Sequence, residues 1–93
     1  MATSIDEPDK LEVFAVAISQ LPLENLHNER ARMENSIGHL QRSNREIEHY
    51  IAETDDDKEK EEMRGVILEN EDVIIGQKLR IEIIKSEITR RSA

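Results

Sequence analysis

Three histidines, a dense set of carboxylates and one cluster of cations are the side chains here that could do chemistry. His27, His39 and His49 do not recur at metal-ligand spacing, and the latter two fall on outward helical positions, which reads as exposed imidazole. Asp55, Asp56 and Asp57 could open a calcium loop, but such a loop needs a glycine at its sixth position and there is none. Arg80, Lys85, Arg90 and Arg91 form a local basic patch of the kind a helix C-terminus favours by itself. The net charge of −8 opposes any sequence-independent hold on phosphates, so nucleic acid is not an expected partner. The remaining carboxylates alternate with Lys and Arg as on solvated helix faces. No glycine-rich phosphate loop, nucleophile elbow or zinc motif is present. Without cysteine there can be no disulfide or thiolate ligand, which fits a reducing compartment. The expectation is a protein without catalysis, cofactor or metal.

The elements that would carry these groups are helices. The chain has 93 residues, 37% charged, 37% hydrophobic and only 2% aromatic, a mix poor for a globular core and typical of coiled coils. No signal-type or membrane-spanning apolar run is present, so the expectation is a soluble cytoplasmic protein, with the nucleus as a second location and no membrane partner. Residues 1–7 read as a flexible N-terminus. Pro8, behind a cap at Asp6 or Glu7, opens a short helix over 8–20 whose apolar positions are Leu11, Phe14, Ile18 and Leu21. Pro22 ends it and begins the next.

Residues 22–91 read as an antiparallel coiled-coil hairpin, with its turn near 54–58. On the first arm, Leu23, Leu26, Arg30, Met33, Ile37, Leu40, Asn44, Ile47, Ile51 and Thr54 recur at steps of three and four. On the second, Met63, Ile67, Asn70, Ile74, Gln77, Ile81, Ile84 and Ile88 do the same. Asp56 and Glu59 have the spacing of an acidic capping box at the start of that arm. Folding back at Asp57 makes facing residue numbers sum to 114. Ile51 then meets Met63, Ile47 meets Ile67, Leu40 meets Ile74, and Asn44 falls opposite Asn70, while Ile37 meets Gln77 in one mismatched layer. Ile37, Leu40, Asn44, Ile47, Asn70 and Ile74 are therefore the residues expected to set the register, the asparagines by forbidding a slip of one heptad. Gly65 and Gly76 inside the last helix suggest close packing against another helix. The fold class is all-α.

One edge of the hairpin is charged, with Glu34 facing Lys78 and Glu48 facing Arg64. On the other, Tyr50 faces Val66, Ser43 faces Val73 and Ser36 faces Arg80. Leu68, Ile75, Leu79 and Ile83 add an apolar line on the back of the last helix. Each such side chain gains about 1.5–3 kcal/mol on burial, and a first helix of roughly 20 Å cannot cover a last helix of roughly 50 Å. Ser36, Ser43, Tyr50, Val66, Leu68, Val73, Ile75, Leu79 and Ile83 are thus the candidate partner-binding residues. The occupant is a second copy of the chain or a different helical protein. An adaptor or chaperone and a structural self-associating subunit are the two classes left, and the uneven outer faces favour the first.

The run Glu34-Asn35-Ser36-Ile37-Gly38-His39-Leu40-Gln41-Arg42-Ser43-Asn44, with Tyr50-Ile51-Ala52, Glu69-Asn70-Glu71 and the earlier Phe14-Ala15-Val16-Ala17-Ile18-Ser19, resembles the translation-machinery-associated protein 17 family of fungal proteasome-assembly chaperones. The likeness spans about residues 9–88. It departs from the family in a shorter linker after Ala52 and in stopping at Ala93 without a polar tail. The resemblance implies a stress-responsive chaperone of the proteasome regulatory-particle base. Such a protein would bind the N-terminal region of regulatory-particle ATPase subunit 6 and promote its pairing with ATPase subunit 3. The family's name also implies, as an alternative, a ribosome-associated adaptor.

Overall fold

A computed structural model describes residues 8–92, which form α1 (Pro8–Ser19), α2 (Leu23–Glu53) and α3 (Asp57–Ser92). The reading of residues 1–7, including the cap at Asp6 or Glu7, lies outside the described residues. α1 closes with tightened bonds from the Gln20 and Leu21 amides to the Ala17 and Ile18 carbonyls, 3.2 and 3.1 Å long. Pro22 has no amide hydrogen to continue the helix. It instead caps α2, its carbonyl accepting from the Asn25 and Leu26 amides.

The connection between the long helices is three residues, 54–56. The Thr54 amide still donates to the Tyr50 carbonyl, after which extended backbone at Thr54 breaks the helix. The Asp56 carboxylate accepts from the Lys58 and Glu59 amides at 3.0 and 3.2 Å, satisfying two donors that α3 cannot satisfy itself. Half of the anticipated capping box is therefore formed. The Glu59 side chain does not complete it, because its carboxylate accepts the Tyr50 hydroxyl across the hairpin mouth.

The register is the anticipated one. Asn70 Nδ2 donates to Asn44 Oδ1 at 2.9 Å, and Asn44 is buried. About two turns further on, Gln77 turns aside from the seam and its Nε2 donates to Ser36 Oγ at 3.1 Å. That corrects the pairing of Ser36 with Arg80 read from the sequence. Gln77 Oε1 is left buried without a hydrogen-bond partner. The ion pairs expected between the arms are also corrected. Glu34 pairs with Arg30 on its own helix, and among the described residues no ion pair joins Glu34 to Lys78 or Glu48 to Arg64. A long side chain reaches its neighbour one turn away at less entropic cost than a partner on another helix.

The core is lopsided. Ile18, Leu26, Met33, Ile37, Ile74, Ile81 and Ile84 form one buried cluster, with Leu26 and Ile84 at 0% exposure, and Phe14, Leu21, Leu40, Ile83 and Ile88 packed around it. All of these lie away from the turn, where α1 makes the hairpin a three-helix bundle. Ile47, Ile51, Met63 and Ile67, nearer the turn, are only half-buried, because two helices cover two sides of a seam residue and leave the third open. At 12 residues α1 is about 18 Å long against about 54 Å for α3. Its length decides where the core ends.

Candidate partner-binding surface

The surface is best built from the seat of α1. The Arg80 guanidinium lies over the Phe14 ring, 5.6 Å from its centroid, and Arg91 Nη2 donates to the Ile18 and Ser19 carbonyls at 3.3 and 3.2 Å. Residue 14 beside 80 and residue 18 beside 91 mean that α1 runs parallel to α3. Arg91 adds a cation and donors at the last carbonyls of α1: the Ile18 carbonyl also accepts from the Leu21 amide, and the Ser19 carbonyl lies beyond the last turn. It is held in place by Glu87, whose carboxylate accepts from Arg91 Nε at 2.7 Å and from Arg90. Those bonds, from Arg90 first and Arg91 second, lower the Glu87 carboxyl from its ordinary 4.5 to about 2.

The groove that seats α1 does not stop where α1 stops. Val73 and Val66 precede Arg80 by seven and fourteen residues, so they share its face of α3. Ser36, Ser43 and Tyr50 make the matching edge of α2 at the same spacing. Val66, Val73 and Tyr50 are exposed, and a hollow of about 310 Å³ opens between Ser43, Glu46, Ile47, Tyr50, Glu59 and Met63. A groove filled in one half by the chain's own apolar helix, and floored in the other by Ile47 and Met63, half-buried among the described residues, is a place for another helix.

The model of the TMA17 helical domain matches residues 10–93. The chain belongs to the TMA17 family. No curated protein and no solved structure matches it. Membership in the TMA17 family is consistent with a proteasome-assembly chaperone role.

In this TMA17 domain the residues singled out from sequence divide into three groups. Ser43, Tyr50, Val66 and Val73 come together along the empty half of the groove. Leu68, Ile75 and Leu79 form a separate exposed line on the far side of α3, Leu68 at 64%. Ile83, assigned to that same line by periodicity, is instead half-buried against the core, since α1 leans over its end of the helix. Ser36 is half-buried and occupied by Gln77. Of the register residues, Ile37, Asn44 and Ile74 are buried, and Leu40, Ile47 and Asn70 half-buried. Gly65 is not a site of close packing, because a Cβ there would meet nothing within 4 Å. Gly76 is buried.

Two features were not anticipated. The outer face of α1 is apolar too: Val13 and Val16 are 69% and 65% exposed, so the helix is hydrophobic nearly all round. The Arg91 clamp was also missed, because Arg91 was read only as part of a terminal basic patch. His27, His39 and His49 are exposed, with His39 beside Arg42 and His49 beside Glu53. Among the described residues no three His or acidic side chains gather as a metal group, and no helix is long and apolar enough to cross a membrane.

Proposed function

We propose that this TMA17-family chain is a non-catalytic assembly chaperone of the proteasome regulatory-particle base. It binds the N-terminal helical region of ATPase subunit 6 and promotes that subunit's pairing with ATPase subunit 3, in the cytoplasm, with the nucleus as a second location. The observation that carries the reading is the half-groove that the described residues leave uncovered in a member of this family. A helical hairpin whose third helix stops short of the turn lends apolar surface to a helix that has yet to meet its own partner. Captured there, an ATPase segment would be shielded until the second ATPase takes it over. The exposed line of Leu68, Ile75 and Leu79 gives a further contact surface on the opposite side of α3.

Pull-down with isolated ATPase N-terminal segments tests the proposal. The subunit 6 segment should be retained by the wild type and lost on Val73→Glu/Ile75→Glu substitution at unchanged helicity. Retention of every ATPase segment alike, or unimpaired capture by the doubly charged variant, would overturn it. Self-association is the second reading, favoured by exposed Val13 and Val16 on α1, and a doubled mass in solution that falls on Val13→Glu/Val16→Glu substitution would support it.

A further inference from the structure

The rim of the empty half-groove carries one sign of charge. On the α2 edge, positions 36, 39, 43, 46, 50 and 53 hold Ser, His, Ser, Glu, Tyr and Glu; on the α3 edge, positions 59, 62, 66, 69 and 73 hold Glu, Glu, Val, Glu and Val. None of these positions is Lys or Arg; the nearest cations are Arg42, which lies against His39, Lys60 in the seam beside the turn, and Arg80, which is over Phe14. The opposite side of the hairpin is balanced, with Arg45 and Lys78 beside Glu48 and Glu71. An apolar floor between two acidic edges suits a helix with an apolar seam flanked by cations.

We infer that the turn-proximal groove takes a foreign amphipathic helix with Lys or Arg flanking its seam, laid end to end with α1 in one continuous channel. This deepens the proposed function by naming the chemistry of the captured helix, and it rests on that reading only for the identity of the protein that supplies it. Two observations select this occupant. The groove is continuous with the seat of α1, and α1 has already shown that a helix packs there, through Phe14 and Ile18. A second copy is disfavoured, since each copy carries a net charge of −8 and would bring more acid to an acidic rim. The stretch of α3 from Asp57 to Val73, about 17 residues and roughly 25 Å, lies between the turn and the Arg80 seat of Phe14.

The test uses the full chain and three fluorescently labelled peptides of about 17 residues: a designed helix with a Leu/Ile seam and Lys flanks, the same seam with Glu flanks, and the ATPase subunit 6 segment. Anisotropy titrations should show the Lys-flanked peptide binding at least about tenfold more tightly than the Glu-flanked one, with the advantage shrinking as salt rises. Glu62→Lys/Glu69→Lys, at two exposed positions outside the hairpin seam, should invert the preference at unchanged helicity. Equal binding of both designed peptides, or no effect of the charge reversal, overturns the inference. So does a doubling of mass that the same reversal abolishes, because the occupant is then a second copy. If the Lys-flanked peptide binds and the ATPase segment does not, the inference stands and the proposed partner falls. If the ATPase segment binds with no response to Glu62→Lys/Glu69→Lys, the partner stands and this groove falls.

Discussion

Replacing Asn44 and Asn70 by leucine, singly and together, measures what the polar layer does. The two amides share one hydrogen bond of 2.9 Å, and Asn44 is only 9% exposed. Removing one partner leaves the other without its bond in a half-dry layer, at a cost of about 1–3 kcal/mol, which offsets the gain of about 1.5–3 kcal/mol from burying leucine. Each single variant should therefore lie within about 1 kcal/mol of the wild type. The double variant loses the bond, worth about 1 kcal/mol, but strands nothing and buries two leucines in a layer open on one side. It should be more stable by about 1–3 kcal/mol, a rise of roughly 1 M in the urea midpoint. The cycle then yields a coupling of about 1–2 kcal/mol. Register is read separately by crosslinking, since the chain has no cysteine of its own. Ile47→Cys with Ile67→Cys should form a disulfide in both backgrounds, and Ile47→Cys with Ile74→Cys, one heptad out, only in the leucine double variant. Additive stability changes, or no slipped crosslink in the leucine background, would refute the register role.

Gln77→Leu should raise stability by about 1 kcal/mol, or about 4–8 °C in Tm, because it removes a buried carbonyl oxygen without a partner while Ser36 can turn to water. Gly65→Ala should add about 0.5–1 kcal/mol in thermal unfolding through helix propensity, since the new methyl meets nothing within 4 Å. The lowered Glu87 pKa means that its contribution is complete above pH 4.5 and is lost as pH falls toward about 2, because the unfolded chain takes up the proton first. Glu87→Gln should accordingly lose less stability than the wild type over that window in acid titration. Arg91→Leu should lower hydrogen-exchange protection in α1 while leaving the α2–α3 pairing protected.

What could be read from sequence was whatever depends on period and on local caps. The 3–4 spacing placed both arms, Asp56 announced the start of α3, and the two asparagines fixed the register because a polar residue in an apolar seam has few alternatives. Side-chain choices between helices were less legible. Gln77 could face Ile37 or bend to Ser36, and Glu59 could close its own cap or accept from Tyr50; spacing alone does not weigh these. The seat of α1 was hidden for a different reason. Val13 and Val16 on one side and Phe14 and Ile18 on the other give it no polar face, so nothing in its own pattern says which side is inward. With that seat unknown, Ile83 could not be told from Ile75.

The Arg91 clamp also has a consequence in time. Arg91 Nη2 reaches a carbonyl 73 residues earlier in the chain. Translation at about 5–20 residues per second therefore leaves a stretch of roughly 4–15 s in which α1 has been made and its clamp has not. During that interval a helix that is apolar over most of its surface, though it carries Asp9, Lys10 and Glu12, lacks that clamp. Synonymous changes that slow decoding of α3 would lengthen the interval without altering a single residue.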